Sequence, residues 1–148
     1  MKTMSAAAKP LYHTDFVEWT ADTAELLRQG RVAEADLEHI ADEIEDLGKR
    51  DRRAVKSQLL RLLKHQIKRT IQPDRGCASW RESITTSRDA IMDILADSPS
   101  LRRFPERDLT EVYRRAAAEA RFETGLDSAA LPEDCPHSLD ELLERQSF

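Results

Sequence analysis

Apolar side chains recur every three or four positions along most of this chain, which is the spacing of one face of an α-helix. The first such run extends from Phe16 to Leu27. Asp15 precedes it and Glu18 follows three residues later, an arrangement that resembles a capping box. Gly30 supplies the left-handed residue that commonly ends a helix. The pattern therefore predicts a first helix between Asp15 and Gly30.

The longest run of this kind predicts one helix from about residue 33 to residue 72. Gly48 and the polar residues after it interrupt the apolar stripe for about one turn, so a hinge near Gly48 is the alternative. At about 1.5 Å per residue an uninterrupted helix would be roughly 55–60 Å long. Pro73 ends the run. The apolar positions that share one side of the helical wheel are Leu37, Ile40, Ile44, Leu47, Val55, Leu59 and Leu62.

Three further amphipathic segments follow. The first is predicted from the capping box at Ser79 to Asp97, the second from Asp108 to Gly125, and the third is a short helix that begins at Ser138. Several amphipathic helices joined by short loops are typical of a helical bundle. We therefore expect an all-α fold of four to six helices around one long central helix (about 33–72). Residues 1–10 are predicted to form a flexible tail, and residues 11–148 a single helical domain.

The composition agrees with the helical pattern. Glycine occurs only four times and aromatic residues make up 5% of the chain, whereas Ala, Leu, Arg and Glu are abundant. Those four residue types are strong helix formers, while sheet proteins need the strand and turn residues that are scarce here. The composition therefore favours helices over sheets.

The sequence also limits the compartment and the chemistry. No apolar run reaches the ~18 residues that cross a membrane, and the first ten residues lack the apolar region of a signal peptide. Cys77 and Cys135 do not show the ligand spacing of a zinc or redox site. We therefore expect a cytoplasmic protein with two free thiols, no cofactor and no membrane partner.

Charge is distributed unevenly along the chain. The formal net charge is −5, but residues 1–48 carry −7, residues 49–81 carry +9 and residues 82–148 carry −7. The basic segment 49–81 could bind nucleic acid through phosphate contacts, or an acidic protein. The stretch 49–68 that holds the candidate cations contains no Phe, Trp or Tyr, and the chain is acidic in total. Both features favour a different interpretation, in which these cations are solvated or paired with carboxylates. The candidate side chains are Lys49, Arg50, Arg53, Lys56, Lys64 and Lys68.

Two histidines and a glutamate are the candidates for a metal or hydrolytic site. His39 and Glu43 are four residues apart and share one helix face, a spacing that can chelate a cation. His65 lies at the edge of the apolar stripe. On a single straight helix His39 and His65 would be about 39 Å apart, so they could meet only if the chain folded back near Gly48. The favoured interpretation is an exposed histidine beside a carboxylate at His39 and a hydrogen-bonded histidine at the core edge at His65.

Several segments resemble a known family. They occur in order along the chain at residues 11–19, 36–48, 62–65, 72–73, 79–81, 98–101 and 132–136. In these segments the chain resembles the bacterial family catalogued as domain of unknown function 29. Arg69 departs from that pattern, because family members often carry tryptophan there. The resemblance implies a helical fold and a bacterial origin, and it implies no activity because none is assigned to the family.

Three hypotheses about function follow from the sequence. The first is a non-enzymatic helical interaction or self-assembly module, because a helix this long exposes more surface than short neighbours can cover. The second is a regulator that binds nucleic acid through the basic segment 49–81. The third is a metal-dependent enzyme that acts through His39, Glu43 or His65. No catalytic motif supports an enzyme, so we lean against that class.

Overall fold

The computed structural model describes residues 11–76, 78–127 and 129–144, and these residues are helical over most of their length, with no strand among them. The all-α prediction and the long central helix are confirmed. The predicted tail at residues 1–10 lies outside the described residues. A helical turn covers residues 11–14. The helices that follow are α1 (Phe16–Arg28), α2 (Leu37–Ile71), α3 (Ala78–Asp97), α4 (Arg103–Thr124) and α5 (Leu139–Leu143).

Short polar side chains begin two of these helices, as their sequences predicted. The Glu18 backbone N–H donates to Asp15 Oδ1 at 3.0 Å at the start of α1. At the start of α5 the Glu141 N–H donates to Ser138 Oγ at 3.2 Å, and the Ser138 N–H donates to Glu141 Oε2 at 3.1 Å. These bonds satisfy backbone donors that have no partner inside a helix. Local sequence therefore sets both starting points.

The predicted start of α4 at Asp108 is wrong. The helix begins at Arg103 and carries Pro105 in its first turn. A proline is tolerated there because the first N–H groups of a helix have no acceptor within it. The central helix also begins later than predicted, at Leu37, because a short 3₁₀ turn, Val32–Glu34, precedes it.

Helix α2 continues through Gly48 without a break. A methyl group built on Gly48 would meet nothing within 4 Å. The predicted single helix is therefore confirmed, and the hinge near Gly48 is not observed. The glycine that ends α4 differs, because Gly125 has φ +69°, a conformation that side chains disfavour.

The chain divides into two compact units, residues 1–49 and residues 50–148, here called the N-terminal and C-terminal units. The C-terminal unit contains a continuous apolar core. Its buried members come from four helices: Val55, Leu59, Leu62, Leu63, Ile67, Ile84, Ile91, Val112, Tyr113, Ala116, Ala117, Ala120, Leu139, Leu142 and Leu143. Arg88 of α3 is buried beside them and donates from Nε to the Leu142 carbonyl at 3.0 Å, which joins α3 to α5.

The N-terminal unit has much less interior. Trp19 and Thr23 of α1 are its only buried residues within the described part of the chain. Tyr12 packs edge-on against Trp19, with ring centroids 4.8 Å apart, and Phe16 stacks on Trp19 at 5.7 Å. This unit is therefore organised around one tryptophan rather than around a layered core.

Two glycine substitutions test this account of the backbone. Gly48→Ala should raise the free energy of unfolding by about 0.5–1 kcal/mol, because alanine has less freedom to lose in the unfolded chain and meets no clash in the helix. Gly125→Ala should lower it by about 1–2 kcal/mol, because alanine disfavours positive φ. Urea unfolding followed by circular dichroism measures both. A destabilising Gly48→Ala would show that α2 is bent or broken at this residue.

Candidate functional site

The apolar stripe of α2 is covered along only part of its length. We call Leu37, Ile40, Ile44 and Leu47 the N-terminal stripe. Leu37, Ile44 and Leu47 are 55%, 63% and 56% exposed, and Ile40 is half-buried. Eighteen residues make five turns, so Val55 lies on the same side of the helix as Leu37. Val55 is 1% exposed. The same helix face is therefore buried in the C-terminal unit and open to solvent in the N-terminal unit.

The rest of the N-terminal unit adds to this exposed apolar surface. Seven of the ten large apolar side chains that are exposed in the described part of the chain lie between residues 16 and 47. Scattered exposed apolar residues are normal, whereas a large contiguous apolar patch is typical of an interaction surface. The seven are Phe16, Val17, Leu27, Val32, Leu37, Ile44 and Leu47.

The N-terminal unit also holds a polar cluster that includes two of the candidate residues. His39 Nδ1 lies 2.6 Å from Asp36 Oδ2, and the two side chains are 16% and 6% exposed. Tyr12 Oη donates to Glu43 Oε1 at 2.5 Å. The Tyr12 ring lies against the His39 ring with centroids 3.9 Å apart. The interpretation of His39 as solvent-exposed is wrong, because the Tyr12 ring and Asp36 cover it.

Hydrogen bonds within this cluster raise the pKa of Tyr12 and orient the His39 ring. The pKa of Tyr12 is raised to about 12. The main cause is the phenolic hydrogen bond that Glu43 accepts, followed by burial of the phenol and by the negative charge of Glu43. Asp36 orients the His39 ring through Nδ1. His13 packs edge-on against His39 at 5.5 Å between centroids. Within the described ranges no three His, Cys, Asp or Glu side chains are arranged to hold a metal ion.

His65 belongs to the C-terminal unit and has a different environment. Burial lowers its pKa first, and the nearby charges of Lys68, Lys64 and Arg61 lower it further. Its Nδ1 is buried without a hydrogen-bond partner among the described residues, and a hydrogen bond from the other ring nitrogen stays a prediction. Because α2 does not fold back at Gly48, the condition under which His39 and His65 would share a site is not met.

Most of the candidate lysines of the basic segment form ion pairs inside their own unit. Lys56 Nζ lies 2.9 Å from Glu111 Oε1, and Lys64 Nζ lies 2.9 Å from Glu123 Oε1. Lys68 also pairs with Glu123. These lysines hold the pKa of the Glu123 carboxyl below its usual range, chiefly through the hydrogen bond from Lys68. Carboxylates of α4 therefore neutralise one side of the basic segment.

The remaining candidate cations are exposed. Lys49 lies 3.4 Å from Glu45 and 3.7 Å from Asp46 on its own helix. Arg50 and Arg53 are exposed and form no ion pair with another described residue. Binding of nucleic acid or of an acidic partner stays a prediction.

Sequence reasoning missed the partners that define the polar cluster. The i, i+3 spacing of Asp36 and His39 was a usable signal, because residues three apart are neighbours on a helix. The Tyr12–Glu43 bond joins residues 31 positions apart, and no local pattern indicates it. It arises only when the chain brings Tyr12 back to the start of α2.

A titration tests the Tyr12–Glu43 bond. In a Tyr113→Phe variant, whose remaining tyrosine is Tyr12, phenolate absorbance should appear near pH 12 rather than pH 10. The folded chain holds this proton to higher pH than the unfolded chain, so the bond's contribution to stability is complete below about pH 10 and is lost as the pH rises toward 12. Glu43→Gln should lower the midpoint toward 10. An unchanged midpoint in that variant would contradict the assignment.

No helix among the described residues is long and apolar enough to span a membrane. No curated protein and no solved structure matches the chain. The sequence profile of one family does match, over residues 11–148. That range includes all the described helices, the polar cluster and the N-terminal stripe. The chain therefore belongs to the family described as Domain of unknown function DUF29.

Proposed function

We propose that this protein is a helical self-assembly module whose N-terminal units pair through the N-terminal stripe. The observation that supports the proposal most directly is the exposure of Leu37, Ile44 and Leu47 on a helix face whose continuation is fully buried. Burying each half-exposed Leu or Ile side chain contributes on the order of 1 kcal/mol. A second surface of the same kind gains as much, so association stabilises both copies.

The spacing of the stripe favours a second copy as the occupant. Leu37, Ile40, Ile44 and Leu47 are separated by three, four and three residues, which is the pattern of a coiled-coil seam. This spacing is symmetric about residue 42. An antiparallel copy therefore places Leu37 beside the second copy's Leu47, and Ile40 beside its Ile44. Such an arrangement satisfies the two-fold symmetry of an isologous dimer.

The polar residues of this helix segment are compatible with pairing. Glu38, Asp42, Glu45 and Asp46 lie more than 100° around the helix from the centre of the stripe at 100° per residue, so they face solvent in the dimer. Ala41 borders the stripe on one side and leaves room for a neighbouring helix. Glu43 borders it on the other side, where Tyr12 holds the carboxylate.

An interaction role also agrees with the other candidate groups. Lys56, Lys64 and Lys68 are engaged by carboxylates of their own chain, which weakens the case for a continuous nucleic-acid surface. His39 is oriented by Asp36, and among the described residues no group of three His, Cys, Asp or Glu side chains is arranged to hold a metal ion. The proposal therefore assigns function to a surface rather than to a reaction.

Removal of one stripe residue tests the proposal. Ile44→Glu should shift the full chain from dimer to monomer, because the charge would be buried at the centre of the interface. Phe122→Glu is the matched control, since Phe122 is 84% exposed and lies in the C-terminal unit. Sedimentation equilibrium over a range of protein concentrations measures both. Added salt should strengthen the wild-type dimer by screening two acidic units from each other.

The proposal fails if the wild-type chain is monomeric at every concentration and salt level tested. It also fails if Ile44→Glu and Phe122→Glu weaken association equally, because the N-terminal stripe would then have no special role.

Disulfide trapping tests the antiparallel register. Leu37→Cys and Leu47→Cys are introduced separately into a chain that carries Cys77→Ser and Cys135→Ser. A mixture of the two variants should cross-link on oxidation, whereas each variant alone should not. Positions 37 and 37 of an antiparallel pair are about 15 Å apart, beyond the reach of a disulfide. Efficient cross-linking of each variant with itself would indicate a parallel pair instead.

A further inference from the structure

The C-terminal unit contains a cleft that the self-assembly proposal does not use. Its volume is about 620 Å³, which lies in the range of small-molecule sites. Leu63, Ile67 and Tyr113 contribute its apolar lining, and all three also belong to the buried core. Helix α2, the turn after it and the loop that precedes α5 form its walls. The cleft therefore borders the apolar core of the C-terminal unit.

The loop walls of the cleft are apolar and stiff. Three prolines lie along them, and a proline has a fixed φ and no backbone N–H. Such walls lose little entropy when a ligand binds, and they offer few donors to a polar ligand. This part of the cleft suits an apolar body. The three are Pro73, Pro132 and Pro136.

The side chains at the cleft that carry a full charge are cationic. Arg69 of α2 and Arg81 of α3 both line it, and the described residues that line it include no carboxylate. Arg81 is exposed and forms no ion pair or hydrogen bond with another described residue. Arg81 differs in this respect from Lys56, Lys64 and Lys68, which form ion pairs with carboxylates of α4. His137 also lines the cleft, with Glu141 Oε2 3.4 Å from its Nδ1.

We infer that this cleft binds a small amphipathic anion, whose carboxylate or phosphate head meets the guanidinium groups of Arg69 and Arg81 while its apolar body lies over Ile67 and Tyr113. Guanidinium groups match the geometry of both head groups and bind them with two parallel hydrogen bonds. The apolar body gains free energy from leaving water. Both parts of the ligand are needed, because the cleft presents both kinds of surface.

Chemical labelling of Cys135 offers a way to detect a ligand in this cleft. Cys135 lines the wall, and burial raises the pKa of its thiol, partly offset by a backbone hydrogen bond at His137. A thiol with a raised pKa is a poor nucleophile at neutral pH. Cys135 is therefore a site where an occupied cleft should slow chemical labelling.

Calorimetric titration of the full chain tests the inference with four probes: octanoate, octyl phosphate, octanol and inorganic phosphate. At least one of the two amphipathic anions should bind at least about tenfold more tightly than octanol and than inorganic phosphate. The tighter of the two anions identifies the head group. Equal binding of octanol would overturn the role of the guanidinium groups, and equal binding of inorganic phosphate would overturn the role of the apolar walls.

Substitutions of lining residues test whether the anion binds in this cleft. Arg81→Gln should weaken the anion about tenfold, and Thr70→Glu should weaken it further, because it adds a negative charge to an exposed lining position. Arg53→Gln is the matched control, since Arg53 is also exposed and unpaired among the described residues but lies outside the cleft. Equal affinity of wild type and Arg81→Gln would overturn the assignment, as would the absence of binding by either anion.

Maleimide labelling gives a second readout. The anion should slow modification of Cys135 in the wild type and should not do so in Thr70→Glu, with peptide mass spectrometry separating Cys135 from Cys77. Unchanged labelling of Cys135 at saturating anion would place the bound molecule elsewhere and contradict the inference.

Discussion

Burial of the α2 stripe in the C-terminal unit is the interaction on which the rest of the structure depends. Leu59 and Leu62 are 0% exposed and pack with Ile84 of α3, Ala116 of α4 and Leu142 of α5. Alanine positions on α4 let the helices approach closely, and the buried Arg88 joins α3 to α5 through the Leu142 carbonyl. The cleft borders this core, so its walls are held by the same contacts that fold the unit.

The two units differ in how much of their apolar surface they bury. The C-terminal unit covers its apolar surface with its own helices, whereas the N-terminal unit covers one tryptophan and leaves its stripe in water. An exposed stripe is costly in isolation and useful in an assembly, because association recovers free energy that folding alone did not. This difference is the basis of the proposed self-assembly.

Ion pairs between helices neutralise part of the basic segment. In the sequence, the basic segment 49–81 carries a net charge of +9. In the folded chain, Glu111, Glu119 and Glu123 of α4 lie within ion-pair distance of Lys56, Lys64 and Lys68. Part of the uneven charge along the chain therefore reflects ion pairing between α2 and α4, because lysines and glutamates 55 to 59 residues apart meet in the fold.

Periodicity and local capping determined the secondary structure from sequence alone. The starts at Asp15 and Ser138, the stop at Gly125 and the continuity of α2 all depend on residues within a few positions of each other, so the sequence contains the whole signal. The start of α4 was predicted too late, at Asp108, although the proline at position 105 costs little in the first turn of a helix. Only the tertiary structure decided which part of the α2 stripe is buried, where Tyr12 finds Glu43, and which cations stand at the cleft. Those outcomes depend on contacts between residues far apart in the chain, and helical periodicity gives the direction of a side chain but not what lies opposite it.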